Sequence, residues 1–182
     1  MKGQRITVVV APLSAYADNT VLPPYAEAEL AAVTDPQAAA EKRAGYGLLR
    51  AMGVEVRECT RINRGKPHHP ACFFSVTHKA GTVAVAVGGQ PLGLDIEPVD
   101  GVRQPARLLD RIGHPQETET DAALLWTRKE AVFKYSDAQT FCPSAIDTTA
   151  YSTVTRRVTV AGREYYLTLC ADDLSDVRWI EE

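Results

Sequence analysis

The chain has 182 residues, of which 45% are hydrophobic and 24% are charged, and its net charge is −3. This composition is close to the average of soluble globular proteins, so it excludes a disordered or fibrous chain, and the length suits one domain or two small halves around a shared core. A nucleic-acid-binding face usually needs a basic surface, which this charge balance does not favour. No stretch approaches about 18 consecutive apolar residues, so we expect no membrane span and a cytoplasmic protein.

The four cysteines have no C-x-x-C spacing. That pattern argues against a zinc ribbon, a redox pair or a disulfide scaffold. We interpret all four as small buried apolar residues. They are Cys59, Cys72, Cys142 and Cys170.

The first part of the chain predicts one strand and two helices. Residues 6–10 are rich in β-branched side chains, and this apolar run is too short for a signal peptide, so it predicts a strand. A short helix is predicted over residues 24–33. A second helix follows, because Asp35 offers an N-cap, Pro36 suits the first helical position and Gly53 suits the C-terminal stop.

The remaining elements are mostly predicted strands separated by turn signals. Residues 54–63 predict a strand, residues 64–67 a turn, and residues 71–76 a second strand. The Gly88-Gly89-Gln90-Pro91 turn predicts a hairpin between the β-rich segments on either side of it. Later elements are a helix over residues 116–135 and strands between 151 and 180, with a hairpin tip at Ala161-Gly162-Arg163.

This order of elements predicts an α+β fold, because helices followed by strands occur twice. We expect two similar α+β halves packed side by side, residues 1–98 and residues 99–182. Interfaces between such halves commonly hold ligand sites.

Two carboxylates mark the segment Leu92-Gly93-Leu94-Asp95-Ile96-Glu97. In a strand its apolar residues can face the core, whereas Gly93, Asp95 and Glu97 share the opposite face. The carboxylates would lie about 6.6 Å apart along the strand and can converge on one cation. Without a neighbouring His or Cys ligand, that cation would be a hard ion such as Mg²⁺. The alternative is the solvated polar face of an edge strand, and the spacing alone favours that alternative.

Two further motifs carry the same ambiguity. On a helix, Trp126, Glu130 and Lys134 lie along one face. Glu130 and Lys134 could form a surface ion pair. Alternatively, Glu130 could be a metal ligand or a base, and Lys134 could bind a phosphate. At a strand end, Thr77 and His78 can donate hydrogen bonds to an anion, or they are a turn-capping hydroxyl and a surface imidazole.

In this order, the motifs resemble those of the 4′-phosphopantetheinyl transferase family, specifically its surfactin-type, pseudo-dimeric branch. The family's Ser/Thr-His, followed by G-[IL]-D-[IV]-E, is matched by Thr77-His78 and residues 93–97. Its W-x-x-K-E-[AS]-x-x-K signature is filled over residues 126–134, and Gly65-Lys66-Pro67 matches another family motif. The resemblance covers residues 36–134, which is over half of the chain.

The resemblance implies Mg²⁺-dependent transfer of the 4′-phosphopantetheine group from coenzyme A to a serine of an apo acyl or peptidyl carrier protein, releasing 3′,5′-ADP. It places the coenzyme in a cleft between the two halves, and a chain that holds both halves is expected to act as a monomer. By position, the resemblance implies that Mg²⁺ is bound by Asp95, Glu97 and Glu130, and that Glu130 is also the base. It implies that His78 and Lys134 contact the phosphates of the coenzyme. Further coenzyme contacts are implied at Lys66, Thr77 and Arg43.

One departure from the family pattern keeps other functions open. After Lys134 the family usually continues with glycines, whereas residues 135–139 read Tyr-Ser-Asp-Ala-Gln. The alternative is a homologue that binds coenzyme A or a carrier protein without turnover. A metal-dependent phosphohydrolase could use the same carboxylates.

Between the motif regions, Arg107 and Arg111 lie one helical turn apart. This spacing predicts either a solvated helix face or a basic stripe for an acidic carrier protein.

Overall fold

The computed structural model describes residues 5–61 and 65–182, and this part of the chain forms a mixed α+β fold with two sheets and four α-helices. None of the described helices is both long enough and apolar enough to span a bilayer. The helices are α1 (Pro24–Ala31), α2 (Pro36–Ala51), α3 (Pro105–Ile112) and α4 (Ala122–Ser136). The strands are β1 (Ile6–Pro12), β2 (Phe73–Lys79), β3 (Thr82–Gly88), β4 (Leu92–Pro98), β5 (Thr153–Val160), β6 (Arg163–Ala171) and β7 (Val177–Glu181).

The described elements stack in layers around two apolar cores. One sheet has the strand order β2-β3-β1-β7 and the other has the order β4-β6-β5. Because successive side chains of a strand point to opposite faces, Val9 and Val85 pack against α1 and α2, whereas Val8 and Ala84 pack against the second sheet. Helix α4 covers the outer face of the second sheet, where Ala131 contacts the strand layer.

Helix α2 has the ends that the sequence predicts. The Asp35 carboxylate accepts a hydrogen bond from the Gln37 N–H at 2.9 Å, and Pro36 is the first helical residue. Beyond the helix, Gly53 adopts a φ of +88°, a conformation that favours glycine. The α+β class and this helix are therefore confirmed.

The strand predicted over residues 54–63 is wrong. The described part of this segment contains a 3₁₀ turn over Val56–Glu58 and an isolated bridge between Thr60 and His68. The Glu55 side chain accepts a hydrogen bond from the Arg57 N–H, which favours the turn over an extended strand. Residues 62–64, which include the first residue of the predicted 64–67 turn, lie outside the described residues.

Helix α4 begins later than the predicted residue 116. The Asp121 carboxylate accepts hydrogen bonds from the N–H groups of Ala123 and Leu124, so it caps the helix at that point. Because an N-cap residue has a non-helical backbone, the residues before Asp121 are excluded from α4.

The hairpin predicted between β3 and β4 is also wrong. Strand β3 pairs with β2 around Ala80 and Gly81, which adopt φ values of +47° and +85°. Strand β4 pairs with β6, so the 88–91 turn carries the chain from one sheet to the other. The predicted hairpin tip at Ala161 and Gly162 is confirmed between β5 and β6.

Each sheet contains one strand from the other side of the predicted boundary at residue 98. Strand β4 precedes that boundary but pairs within the second sheet. Strand β7 follows it but pairs in parallel with β1 in the first sheet. The division into residues 1–98 and 99–182 remains a prediction.

Two of the four cysteines are buried, as expected. Cys59 and Cys170 are buried, Cys72 is half-buried and all four are free thiols. Cys142 is exposed, because it lies in the loop that follows α4, so the expectation of burial is wrong for this residue.

Candidate functional site

Alternate side chains of β2 reach the polar face of β4. The Thr77 hydroxyl donates to Asp95 Oδ1 over 3.1 Å, and Lys79 Nζ donates to Glu97 Oε1 over 2.9 Å. Since residues two apart on a strand share a face, one side of β2 is matched to both carboxylates of β4. Lys79 was missed from the sequence, although its spacing from Thr77 places it on this face.

Helix α4 brings a third carboxylate and a second ammonium to the same place. Lys134 Nζ donates to Asp95 Oδ1 over 2.6 Å and lies 3.8 Å from Glu130 Oε2. The helix backbone can lie directly on β4 at Gly93, where any β-carbon would collide with the Ala131 carbonyl oxygen. The predicted meeting of the β4 strand and the α4 helix is therefore present.

The charges at this site are close together and partly buried. Burial raises the pKa of Glu97 and the pKa of Glu130 above their usual value, and the neighbouring Asp95 raises both further. Lys79 and Lys134 oppose these shifts. Three carboxylates thus share the site with two ammonium groups, which leaves an excess of negative charge.

The donor chemistry of this cluster suits a hard cation. Within residues 5–61 and 65–182, no three His, Cys, Asp or Glu side chains form a group already arranged to hold a metal ion. However, Asp95 Oδ2 is buried and has no hydrogen-bond partner in that part of the chain. Buried polar atoms usually have a partner, and carboxylate oxygens are preferred ligands of Mg²⁺. The residues therefore fit Mg²⁺, and the set Asp95, Glu97 and Glu130 remains a prediction.

A cleft of about 690 Å³ opens beside the carboxylates, between α2, β2 and the end of α4. His78, Lys66 and Lys134 line it. His78 faces α2, where its Nδ1 lies 3.2 Å from Glu41 Oε2. Burial lowers the pKa of His78, and Glu41 opposes that shift. At neutral pH the imidazole is therefore mainly uncharged, and its single N–H can donate to Glu41 from Nδ1.

Two of the residues expected to contact a coenzyme do not line this cleft. Thr77 is turned towards Asp95, and Arg43 is absent from the cleft wall. Lys42 and Arg61 line it instead, and both pair with Glu29, at 2.5 Å and 2.8 Å. Successive residues of a helix point about 100° apart, so a shift of one position along α2 exchanges Arg43 for Lys42.

Lys66 lies at the cleft, but its ammonium is turned to the backbone. Its Nζ donates to the carbonyl oxygen of Leu92 at 2.6 Å and to that of Lys134 at 2.9 Å. Burial lowers the pKa of Lys66 to about 8.

Residues 91–169 match the 4′-phosphopantetheinyl transferase superfamily. The matched segment contains Asp95, Glu97, Glu130 and Lys134, so it includes the whole β4–α4 cluster, and it begins after His78. The match supports phosphopantetheinyl transfer in general. No curated protein matches the chain in sequence.

A second cleft of about 520 Å³ is lined by residues of β2, β4, α3 and α4. Glu97 and Lys79 form one wall, and Trp126 of α4 forms another. Arg107 and Arg111 of α3 also line it, so both predicted stripe arginines lie at a concave surface beside the site.

A buried ion pair joins α4 to the segments before and after it. Lys129 is fully buried, and its Nζ lies 2.7 Å from Glu117 Oε2 and donates to the carbonyl oxygen of Ile146 at 2.6 Å. Glu117 also accepts a hydrogen bond from the Thr148 hydroxyl at 2.7 Å. This pair was missed from the sequence, because a lysine next to Glu130 in a helical signature gives no sign that it is buried.

Proposed function

We propose that this protein transfers the 4′-phosphopantetheine group of coenzyme A to a serine of an apo acyl or peptidyl carrier protein. The contact between Lys134 and Asp95 is the observation that carries this proposal, because it joins the acidic strand and the basic helix of the superfamily segment. Phosphoryl transfer needs positioned groups of both charge signs at one place.

Asp95, Glu97 and Glu130 would hold Mg²⁺. When bound there, the ion supplies positive charge that neutralises the pyrophosphate of the coenzyme. The buried and unpartnered Asp95 Oδ2 supports this assignment.

The protein's own residues account for the proton and for the leaving group. The serine oxygen forms a bond to the β-phosphorus of coenzyme A, and the bond from that phosphorus to the bridging oxygen breaks, so 3′,5′-ADP leaves. The serine proton passes to Glu130, the carboxylate that the family resemblance assigns as the base. Lys134 meets the negative charge that develops on the phosphates, and His78 does so in its protonated form, which a bound phosphate favours.

The cleft of about 690 Å³ is the proposed coenzyme site. His78 and Lys134 would contact the pyrophosphate, while Lys42 and Arg61 are cations suited to the 3′-phosphate. We assign Lys42 and Arg61 this role in place of Arg43, because they line the cleft. We further propose that the enzyme is monomeric, of the surfactin type and cytoplasmic, as the family resemblance and the sequence predict.

The test is to incubate the protein with coenzyme A, Mg²⁺ and a panel of apo carrier proteins, and to measure the release of 3′,5′-ADP with and without a carrier. The proposed transferase releases it only when an apo carrier is present. Release without any carrier would instead identify a phosphohydrolase.

The altered segment after α4 favours one other function, that of a binding protein without turnover. Asp137 ends the helix with a φ of +51°, and Phe141 folds back against Trp126 and Phe133. Such a protein would release no 3′,5′-ADP with any carrier of the panel and would still bind coenzyme A in a separate calorimetric titration.

A further inference from the structure

Lys66 joins the two elements that carry the site. It is half-buried, and its ammonium donates to Leu92 at the start of β4 and to Lys134 in the last turn of α4. The last four carbonyls of an α-helix have no partner within the helix, so Lys66 supplies a hydrogen bond that the Lys134 carbonyl lacks. One side chain therefore bridges the end of a helix and the beginning of a strand.

The contact surface between α4 and β4 makes this bridge important. At Gly93 no side chain separates the strand from the helix, and a β-carbon there would collide with backbone atoms of Ala131 and Tyr135. The position of the helix end is then set by this backbone contact and by the Lys66 bridge at its side. A small displacement of the helix end would move Lys134 away from Asp95.

We propose that Lys66 is a positioning residue, which holds the last turn of α4 against the start of β4 so that the Lys134 ammonium stays beside Asp95. The proposal rests on the function assigned to Lys134 and Asp95 above. It differs from the coenzyme contact that the sequence resemblance implies, because both donor contacts of Lys66 are directed at the protein backbone. Its lowered pKa agrees with an ammonium that is partly withdrawn from solvent.

Three variants separate the two roles of Lys66. Lys66→Met removes the donors, and Lys66→Arg retains a charged donor group of similar length. Lys42→Met removes a cation that the proposed function assigns to coenzyme binding. Arg178→Met, on the exposed side of β7, is the matched surface control.

If Lys66 positions the site, Lys66→Met lowers kcat by at least about tenfold and changes the KM for coenzyme A by less than about twofold, because a misplaced group mainly affects the chemical step. Lys66→Arg restores most of the kcat. Lys42→Met shows the opposite split, a raised KM with a nearly unchanged kcat. A raised KM and an unchanged kcat in Lys66→Met would overturn the proposal in favour of a coenzyme contact.

Hydrogen exchange tests the same proposal without any turnover. Backbone amides of residues 130–136 should exchange at least about tenfold faster in Lys66→Met than in the wild type, since the lost hydrogen bonds come from a charged donor. Unchanged exchange would overturn the positioning role, even if the wild-type protein transfers nothing and the proposed function fails.

A further variant covers the case in which Lys66→Met does not fold. Lys66→Gln keeps two N–H donors without the charge, and it should show a smaller increase in exchange at residues 130–136. Wild-type exchange in Lys66→Gln, together with weakened binding of coenzyme A, would also overturn the proposal.

Discussion

Lys134 Nζ donates to Asp95 Oδ1 across 2.6 Å, which joins a helix and a strand whose residues are 39 positions apart in the chain. The same oxygen accepts a hydrogen bond from the Thr77 hydroxyl, while the other oxygen of Asp95 has no hydrogen-bond partner among the described residues. Asp95 is thus the point at which β2, β4 and α4 meet. The proposed chemistry depends on this meeting more than on any one side chain.

The first prediction concerns this carboxylate. Asp95→Asn should lower the rate of transfer to a carrier by about two orders of magnitude, a loss typical of removing one preorganised charged group from an active site. The neutral amide would also bind a cation weakly, so the Mg²⁺ concentration needed for half-maximal activity should rise. Steady-state kinetics over a range of Mg²⁺ concentrations measures both effects.

Asp100→Asn is the matched control for that experiment, because its side chain is 76% exposed and pairs with Arg163 away from the cluster. It should retain the wild-type rate. Equal losses in the two variants would mean that Asp95 has no special role.

The second prediction concerns pH and stability in the presence of EDTA. The pKa of Glu130 is raised in the folded protein, mainly by burial and then by Asp95, from a usual value near 4.5. Its contribution to stability is therefore fully present below the unfolded pKa and is lost as the pH rises through the folded pKa. At pH values above the folded pKa, the charged carboxylate makes the folded state less stable.

Glu130→Gln should consequently raise the free energy of unfolding at neutral pH, and the advantage should vanish below about pH 4. Urea unfolding of both proteins at several pH values measures the difference. A variant that is less stable than the wild type at neutral pH would contradict the assigned cause of the shift.

The third prediction concerns the buried ion pair between Lys129 and Glu117. Lys129→Met should lower the free energy of unfolding by about 3–5 kcal/mol, because it leaves the Glu117 charge buried without its partner. The adjacent Arg128→Met is the control, since Arg128 pairs with Glu119 at a partly exposed position and such pairs contribute at most about 1 kcal/mol. Similar losses in urea unfolding of the two variants would show that Lys129 has no distinct structural role.

The fourth prediction concerns the second cleft. Changing both Arg107 and Arg111 to Glu should raise the KM for an acidic carrier protein by about tenfold and leave the KM for coenzyme A unchanged. The reason is that charges at the edge of an interface mainly affect the rate at which the two proteins associate. Reversing Arg50 and Arg178, which are exposed and lie outside both clefts, changes the net charge equally and serves as control. Equal effects on both substrates would contradict docking at this cleft.

The sequence was informative where local chemistry determines the structure. Asp35 and Gly53 define the ends of α2 through capping and a positive φ, and both effects depend on residues a few positions apart. In the same way, alternation along β4 predicts that Asp95 and Glu97 share a face. That α4 would meet β4 was predictable only through the family resemblance, since spacing alone also allowed a solvated strand and a surface ion pair, and the direct contact between Lys134 and Asp95 was not predicted.

The errors arose where distant parts of the chain decide the structure. The turn at residues 88–91 is visible in the sequence, but turn chemistry does not say which strands will pair, and the apolar face of β4 packs onto the first sheet instead of extending it. The backbone contacts of Lys66 likewise join carbonyls that are 26 and 68 positions away. No local pattern indicates such a contact.

The most direct test of the central claim is the intact mass of an apo carrier protein after incubation with coenzyme A, Mg²⁺ and either the wild-type protein or Glu130→Gln. The wild type should add the phosphopantetheine mass to the carrier, while Glu130→Gln should add almost none and still bind coenzyme A. A carrier whose mass never increases with the wild type, or one that Glu130→Gln modifies at the wild-type rate, would contradict the account.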